Sequence, residues 1–187
     1  QRADNEFRRA ALALQQGRQD EAEFGFQQAL RLDARHTAAR QALISIYVDG
    51  QRTDKALHLA REGLALDSSQ SGFAMIAARI QLEKGDLAAA LDTLEGSRRS
   101  AAARPEYLAF LAALLQRAER HGEAAEEYKQ ALQRVPQNGV WWMGLGISLQ
   151  ALQRKAEAQE AFMRAKASHS LSPDLLAFVE SRLAQLR

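Results

Sequence analysis

The sequence contains no cysteine, which excludes disulfides, thiol catalysis and cysteine-containing metal sites and suits cytoplasm and periplasm equally. Aromatic residues make up only 6% of its 187 positions, although hydrophobic residues make up 47%. Much of that apolar content is alanine, which favours helices packed closely through small side chains over a β-sandwich. Proline occurs 3 times and glycine 11 times, too few breakers for the turns of a many-stranded sheet. No apolar run approaches the ~20 residues that span a bilayer, and the start lacks the basic and apolar regions of a signal peptide. Nor does one charge dominate: 25 Lys and Arg oppose 23 Asp and Glu, for a net charge of +2. Phosphate binding needs cations clustered on one face rather than balanced by nearby acids, so no nucleic-acid partner is expected. The chain begins at Gln1 instead of Met and reads as the soluble part of a longer protein, with any anchor or targeting signal outside it.

What is present is a repeat. Ala22, Ala56, Ala90, Ala124 and Ala158 are spaced by 34 residues each time. Four residues after each alanine come Phe26, Ala60, Leu94, Tyr128 and Phe162, and seven after each come Ala29, Gly63, Ser97, Ala131 and Ala165. Small residues recur where two helices must nearly touch. Extended backwards, the frame gives repeats at 3–36, 37–70, 71–104, 105–138 and 139–172. The period and its pattern resemble the tetratricopeptide repeat family, with Trp142, Leu145, Gly146, Ala158, Phe162 and Ala165 in the fifth repeat and Ala124, Tyr128, Ala131 and Pro136 in the fourth. The resemblance implies an all-α, right-handed superhelical solenoid of five helical hairpins plus a C-terminal capping helix, about eleven helices in a single domain over 1–187.

Local physics supports each hairpin. Leu108, Leu111 and Leu115, or Leu145, Leu149 and Leu152, stand three and four apart and line one helix face. Gly17, Gly50, Gly85 and Gly122 are expected in or near the turns between paired helices, where positive φ carries no side-chain cost for glycine. Pro136 should follow a helix end, and Pro173 should open the last helix, 173–186. There Leu175, Leu176, Val179, Leu183 and Leu186 share one side and Glu180, Arg182 and Arg187 lie elsewhere, as a terminal cap requires. The first repeat carries Glu6 and Arg9 where large apolar residues are expected, as an exposed first helix allows. The third repeat is the weakest and the expected flexible joint, with Ala74, Ala77 and Ala78 at packing positions, Gly96 and Ser97 late in its second helix and the basic stretch Arg98-Arg99 before Ala101-Ala102-Ala103.

Candidate chemistry is sparse. His36, His58, His121 and His169 fall in different repeats, and none has the i, i+4 histidine partner of a zinc site. Glu21 with Glu23, and Glu126 with Glu127, are read as favourable helix-start and outer-face charges. No P-loop, nucleophile elbow or Ser/His/Asp set is present, so neither an enzyme, a cofactor nor a metal is expected. The RNA-reading pentatricopeptide class has a similar period, but the aromatic-Ala-Pro pattern of repeats four and five argues against it. Arg98, Arg99 and Arg104 are open to two readings, contact with an acidic partner or a solvated basic loop.

The tetratricopeptide resemblance also implies where a partner binds. In that family the first helix of each hairpin builds a concave wall, and fixed positions of it face inward. Here these positions hold Phe7, Ala11 and Leu14; Gln41, Ser45 and Val48; Met75, Arg79 and Glu83; Ala109, Ala113 and Arg117; and Val140, Met143 and Ile147. The lysines and asparagine of the family's carboxylate clamp are missing, since Gln41 with Ser45 and Met75 with Arg79 stand there. Methionine and aliphatic residues mixed with Arg79 and Arg117 suit an amphipathic helix or an extended apolar peptide with some negative charge. Packing between hairpins is the competing reading for each of these residues. Trp141 and Trp142 point about 100 degrees apart on a helix, so both cannot enter one core pocket and one is expected to be partly exposed. Trp141 is the weaker binding candidate.

The run Trp141-Trp142-Met143-Gly144-Leu145-Gly146-Ile147-Ser148-Leu149, with Leu171-Ser172-Pro173 and Phe178-Val179-Glu180-Ser181-Arg182-Leu183, resembles the C-terminal repeats of the tetratricopeptide proteins of bacterial mannose-sensitive haemagglutinin (MSHA) pilus assembly. That resemblance implies an inner-membrane parent with one N-terminal span, its repeats on the periplasmic side, and partners among type IV pilus or related secretion components. The alternatives are a cytoplasmic or cell-wall-associated adaptor for an unrelated client, or a self-associating structural module. The fragment itself has no expected membrane contact, and its oligomeric state is open.

Overall fold

The computed structural model describes every residue from Gln1 to Arg187 and contains helices and no strand. The helices are α1 (Arg2–Gln15), α2 (Gln19–Leu32), α3 (Thr37–Asp49), α4 (Thr53–Leu66), α5 (Ser71–Glu83), α6 (Leu87–Ser97), α7 (Pro105–Arg117), α8 (His121–Arg134), α9 (Gly139–Ala151), α10 (Lys155–Ala167) and α11 (Pro173–Gln185). Each 34-residue frame holds one pair of helices, and α11 follows the fifth pair, so the expected hairpins and cap are the observed fold. The chain divides into two compact units, Gln1–Ser97 and Arg98–Arg187.

The alanine ladder explains how closely the paired helices approach. Ala22, Ala56, Ala90, Ala124 and Ala158 are all completely buried. The position four residues on fills the space beside them with Phe26, Ala60, Leu94, Tyr128 and Phe162, all buried. Close packing leaves no slack at the tightest points. A Cβ added to Gly146 would lie 2.8 Å from the Phe162 ring, and one added to Gly63 would lie 2.7 Å from Phe73.

Every hairpin turn is made the same way. The residue at position fifteen of the repeat has positive φ in all five: Gly17 (75°), Gln51 (57°), Gly85 (81°), Glu119 (60°) and Gln153 (60°). Its N–H donates three residues back and the next N–H five back, as in Gly17 to Leu14 (3.0 Å) and Arg18 to Ala13 (2.9 Å), or Glu119 to Gln116 (3.0 Å) and Arg120 to Leu115 (2.9 Å). This paired pattern is the Schellman ending of a helix. Gly50 lies in its turn and Gly122 just beyond its own, as expected, but neither has positive φ: Gly50 has φ of −83° after the end of α3, and Gly122 is the second residue of α8. The left-handed residue is fixed by position in the repeat, and in three repeats it is a long polar side chain that points into solvent.

The next residue also precedes the second helix. In four repeats it is arginine, and Arg18, Arg120 and Arg154 each reach forward three residues to Glu21, Glu123 and Glu157. Asp86 instead accepts from the Ala89 N–H at 3.0 Å, an ordinary side-chain cap. Arg52 has Lys55 three residues on and turns to Glu23 on α2, making two bonds of 3.0 and 2.9 Å. Glu23 is thus an inter-repeat anchor and not an outer-face charge. Glu127 corrects the sequence expectation in the same way, accepting two bonds from Arg98 at 3.0 and 3.1 Å.

That second pair accounts for the irregular third repeat. Leu30, Leu64 and Leu132 hold the last turn of α2, α4 and α8 against the core, but the equivalent residue after Ser97 is Arg98. α6 stops at 11 residues, whereas α10 runs through Lys166 at the same repeat position; the third repeat differs in that Arg98 turns to Glu127, and residues 98–104 form a connection longer than its counterparts. Arg98 pairs with Glu127 and donates to Gln130 at 2.9 Å, which ties it to the next hairpin.

At the far end α11 takes the register of a first helix. Val179 and Leu186 are buried, Ser172 accepts the Leu175 N–H at 3.4 Å, and Pro173 opens the helix. The position pressed by a second helix in each repeat, held by Ala10, Ile44, Ala78, Ala112 and Gly146, is here Glu180, exposed and paired with Lys166 at 3.3 Å. A charge at that contact gives the helix the polar side of a cap. At the other end, Arg9 is 80% exposed where later repeats bury Leu43, Ala77, Leu111 and Leu145.

Candidate functional site

In the unit Gln1–Ser97, the first-helix wall gathers five of the expected groove residues around one cavity. Gln41, Ser45 and Val48 recur at four and three residues along α3, and Arg79 and Glu83 stand four apart on α5. These spacings put each set on one helix face. Together with Ile44, Thr53, Ile76 and Ile80 they line a cavity of about 200 Å³. Ile44 and Ile80 are buried at 1% and 4% and form its floor, while Val48 is 41% exposed at its edge. Leu14 holds the position equivalent to Val48 one repeat earlier and is likewise 41% exposed.

The remaining candidates are not brought together in this way. Phe7 is half-buried in the core of its unit, its ring 5.6 Å from that of Phe26 and 5.1 Å from the His36 imidazole. Met75, half-buried, stands beside the cavity-lining Ile76 without lining the cavity itself. In the second unit Ala109 is 6% exposed and belongs to the core; its single methyl is too short to reach past its neighbours. Met143, Ile147 and Trp141 are half-buried against the same core. Arg117 is exposed and Val140 is 45% exposed.

Trp142 is only half-buried, as is Trp141. Its indole N–H donates to the Pro136 carbonyl at 2.7 Å, and the Arg164 guanidinium lies 5.0 Å from the ring. It borders a groove of about 500 Å³ among α8, α9 and α10, with Leu132, Leu145 and Leu149. The repeat-equivalent groove among α2, α3 and α4, of about 640 Å³, has Arg40 where the other has Trp142. Arg40 is 4% exposed; it donates to the carbonyls of Ala34 at 2.8 Å and Leu59 at 2.9 Å and pairs with Glu62 at 3.3 Å. These second-helix grooves had one sequence signal, the register shared by Arg40 and Trp142.

Titratable groups serve packing. The Arg52 hydrogen bonds hold the Glu23 carboxyl below its usual range, more than burial raises it. Burial pushes the Tyr128 phenol up to about 12. His36 caps α3 by accepting the Ala39 N–H at 3.1 Å, and His121 lies 3.3 Å from the buried Ser148 hydroxyl. No three His, Asp or Glu side chains gather as metal ligands, and no helix is long and apolar enough to cross a membrane.

Helical hairpins repeated at 34 residues, with small residues at the helix contacts and a mixed polar and apolar first-helix wall, define a helical-repeat scaffold for protein interaction. Two tetratricopeptide repeat profiles match the sequence, over residues 7–137 and 115–180, and the chain belongs to the tetratricopeptide repeat family. A search of curated protein sequences gives no match. Among solved structures, that of the MamA protein aligns with a TM-score of 0.72 at 17% identity, covering 91% of this chain and 96% of its own. That of YrrB, described as a TPR protein with an unusual peptide-binding site, aligns with a TM-score of 0.76 at 15% identity, covering 95% of this chain and 91% of its own. At these identities the likeness is one of fold.

Proposed function

We propose that this chain is a non-catalytic scaffold that holds a peptide segment of a partner protein against the first-helix wall of α3 and α5. The observation that carries this reading is the convergence of Gln41, Ser45, Val48, Arg79 and Glu83, from two helices one repeat apart, on a single cavity with an apolar floor. The exposed Leu14 and Val48 extend the apolar surface along the same wall. A photo-crosslinking side chain at Val48, compared with one at the exposed Phe24 on α2, tests it in cells. A discrete adduct at Val48 and none at Phe24 is expected; equal labelling at both positions removes the wall as the binding site.

We further propose that the scaffold acts in assembly of a type IV, MSHA-like pilus or related secretion machinery, on the periplasmic side of the inner membrane. The support is the resemblance carried by Trp141 to Leu149 and Phe178 to Leu183. Mass spectrometry of the Val48 adduct decides between this and an adaptor for another client: a pilus or secretion component supports it, and a cytoplasmic protein overturns it.

A further inference from the structure

Arg79 and Glu83 stand one turn apart at the mouth of the α3–α5 cavity, both exposed. Neither makes an ion pair or hydrogen bond with another side chain, although they are spaced for one. Their order explains this in part: a cation N-terminal to an anion at i, i+4 is the weaker arrangement, and Glu83, at the C-terminus of α5, opposes the helix dipole. Of the nearby charges, Lys84 pairs with Asp54 and Arg52 with Glu23, and Asp49, exposed beside Val48, does not line the recess. One free positive and one free negative charge therefore rim an apolar recess.

The recess itself limits what enters. At about 200 Å³ it is below the roughly 300–1,000 Å³ of small-molecule sites and matches one large side chain of a peptide. A peptide that runs along α5 with that side chain in place meets both Arg79 and Glu83, which line the recess one turn apart. Charges on it opposite in sign to each strengthen binding, and the reverse order sets like against like, which disfavours the wrong sequence more than it rewards the right one.

We infer that the ligand of this wall is a peptide segment with a single large apolar anchor, flanked by an acidic residue on the side that meets Arg79 and a basic residue on the side that meets Glu83. This rests on the peptide-binding reading above and adds what the peptide must contain. The order of the two charges is the specificity determinant, and the cavity supplies the affinity.

Selection of a random dodecapeptide phage library against the full chain tests it, in parallel with Arg79→Glu/Glu83→Arg and with Ser45→Phe, which fills the recess from an exposed position. The expected consensus has one aliphatic or aromatic anchor with acid and base on fixed opposite sides, and the double variant selects the inverted order. Synthetic peptides of the two orders should differ about tenfold in Kd by fluorescence polarisation, with the preference reversed on the double variant. Anchor-bearing peptides that are lost with Ser45→Phe but show no charge order, or one that does not invert, overturn the charge inference and leave peptide binding standing. No enrichment, or enrichment indifferent to Ser45→Phe, overturns the binding wall itself.

Discussion

Glycine introduced at Gln51, Glu119 or Gln153 should stabilise the protein, and alanine at Gly17 or Gly85 should destabilise it. All five residues have positive φ and close the first helix of a hairpin with the same two hydrogen bonds. An L-residue in the left-handed region costs roughly 1–2 kcal/mol, while glycine gives back about 0.5–1 kcal/mol through its greater freedom in the unfolded chain. The difference leaves about 0.5–1 kcal/mol per site. The side chains of Gln51, Glu119 and Gln153 are exposed, and nothing lies within 4 Å of a Cβ added to Gly17 or Gly85, so contacts do not obscure the backbone effect. Sites in separate repeats should add, giving the triple variant roughly 1.5–3 kcal/mol and a Tm higher by about 3–12 °C for a chain of this size. Urea unfolding followed by circular dichroism reads this as a shift in midpoint at constant slope. If the three glycine variants are neutral or weaker while Gly17→Ala and Gly85→Ala cost nothing, the shared turn is not what ends these helices.

The Glu23–Arg52 pair gives stability a pH dependence. Because the folded carboxyl titrates below its ordinary value of 4.5, its contribution is complete above that value and disappears as pH falls through the lowered one. Glu23→Gln should therefore cost up to about 1 kcal/mol at pH 7 and nothing in strong acid, so thermal melts of variant and parent should converge as pH falls; parallel curves contradict this. Gly146→Val drives a branched side chain into the Phe162 ring and should cost roughly 1–3 kcal/mol, with Phe162→Leu restoring part of the loss in urea melts. Ser148, fully buried, accepts from Gln116 at 2.8 Å. Ser148→Ala should cost about 1 kcal/mol, less than Gln116→Leu, which also leaves the Gly144 carbonyl without its 2.8 Å donor. Arg98→Ala should raise amide exchange in residues 98–104 about tenfold, since the two charge-assisted bonds to Glu127 are lost; unchanged exchange would mean that Ala101, fully buried, holds the segment alone.

Much of the fold was legible because its determinants are local and periodic. The alanines from Ala22 to Ala158 mark helix contacts, and such contacts admit few residue types. Turn chemistry was less legible. Gly50 and Gly122 drew attention as glycines, whereas the strained position is occupied by Gln51 and Glu119, whose side chains announce nothing about φ. The short α6 was hidden because its lost turn is returned as connection, leaving the 34-residue spacing intact. In the candidate site, repeat position gave the direction of a side chain but not its depth. Gln41, Ser45, Val48, Arg79 and Glu83 reach the cavity, while Ala109 and Phe7 in the same register are taken into the core, one for want of length and the other by Phe26 and His36. Pairings such as Arg52 with Glu23 or Arg98 with Glu127 join residues 29 apart, and no local pattern carries them.

The hairpin turn has a consequence for where this chain can change length. One residue, such as Arg18 or Arg154, both completes the Schellman bond of the first helix and immediately precedes the second. An inserted residue there displaces either the Schellman bond or the start of the second helix. Spare length exists only where one repeat hands over to the next, and above all at 98–104. A reporter or affinity tag placed between Ala102 and Ala103, both exposed, should leave every hairpin intact, whereas the same tag at any of the five turns should unzip one.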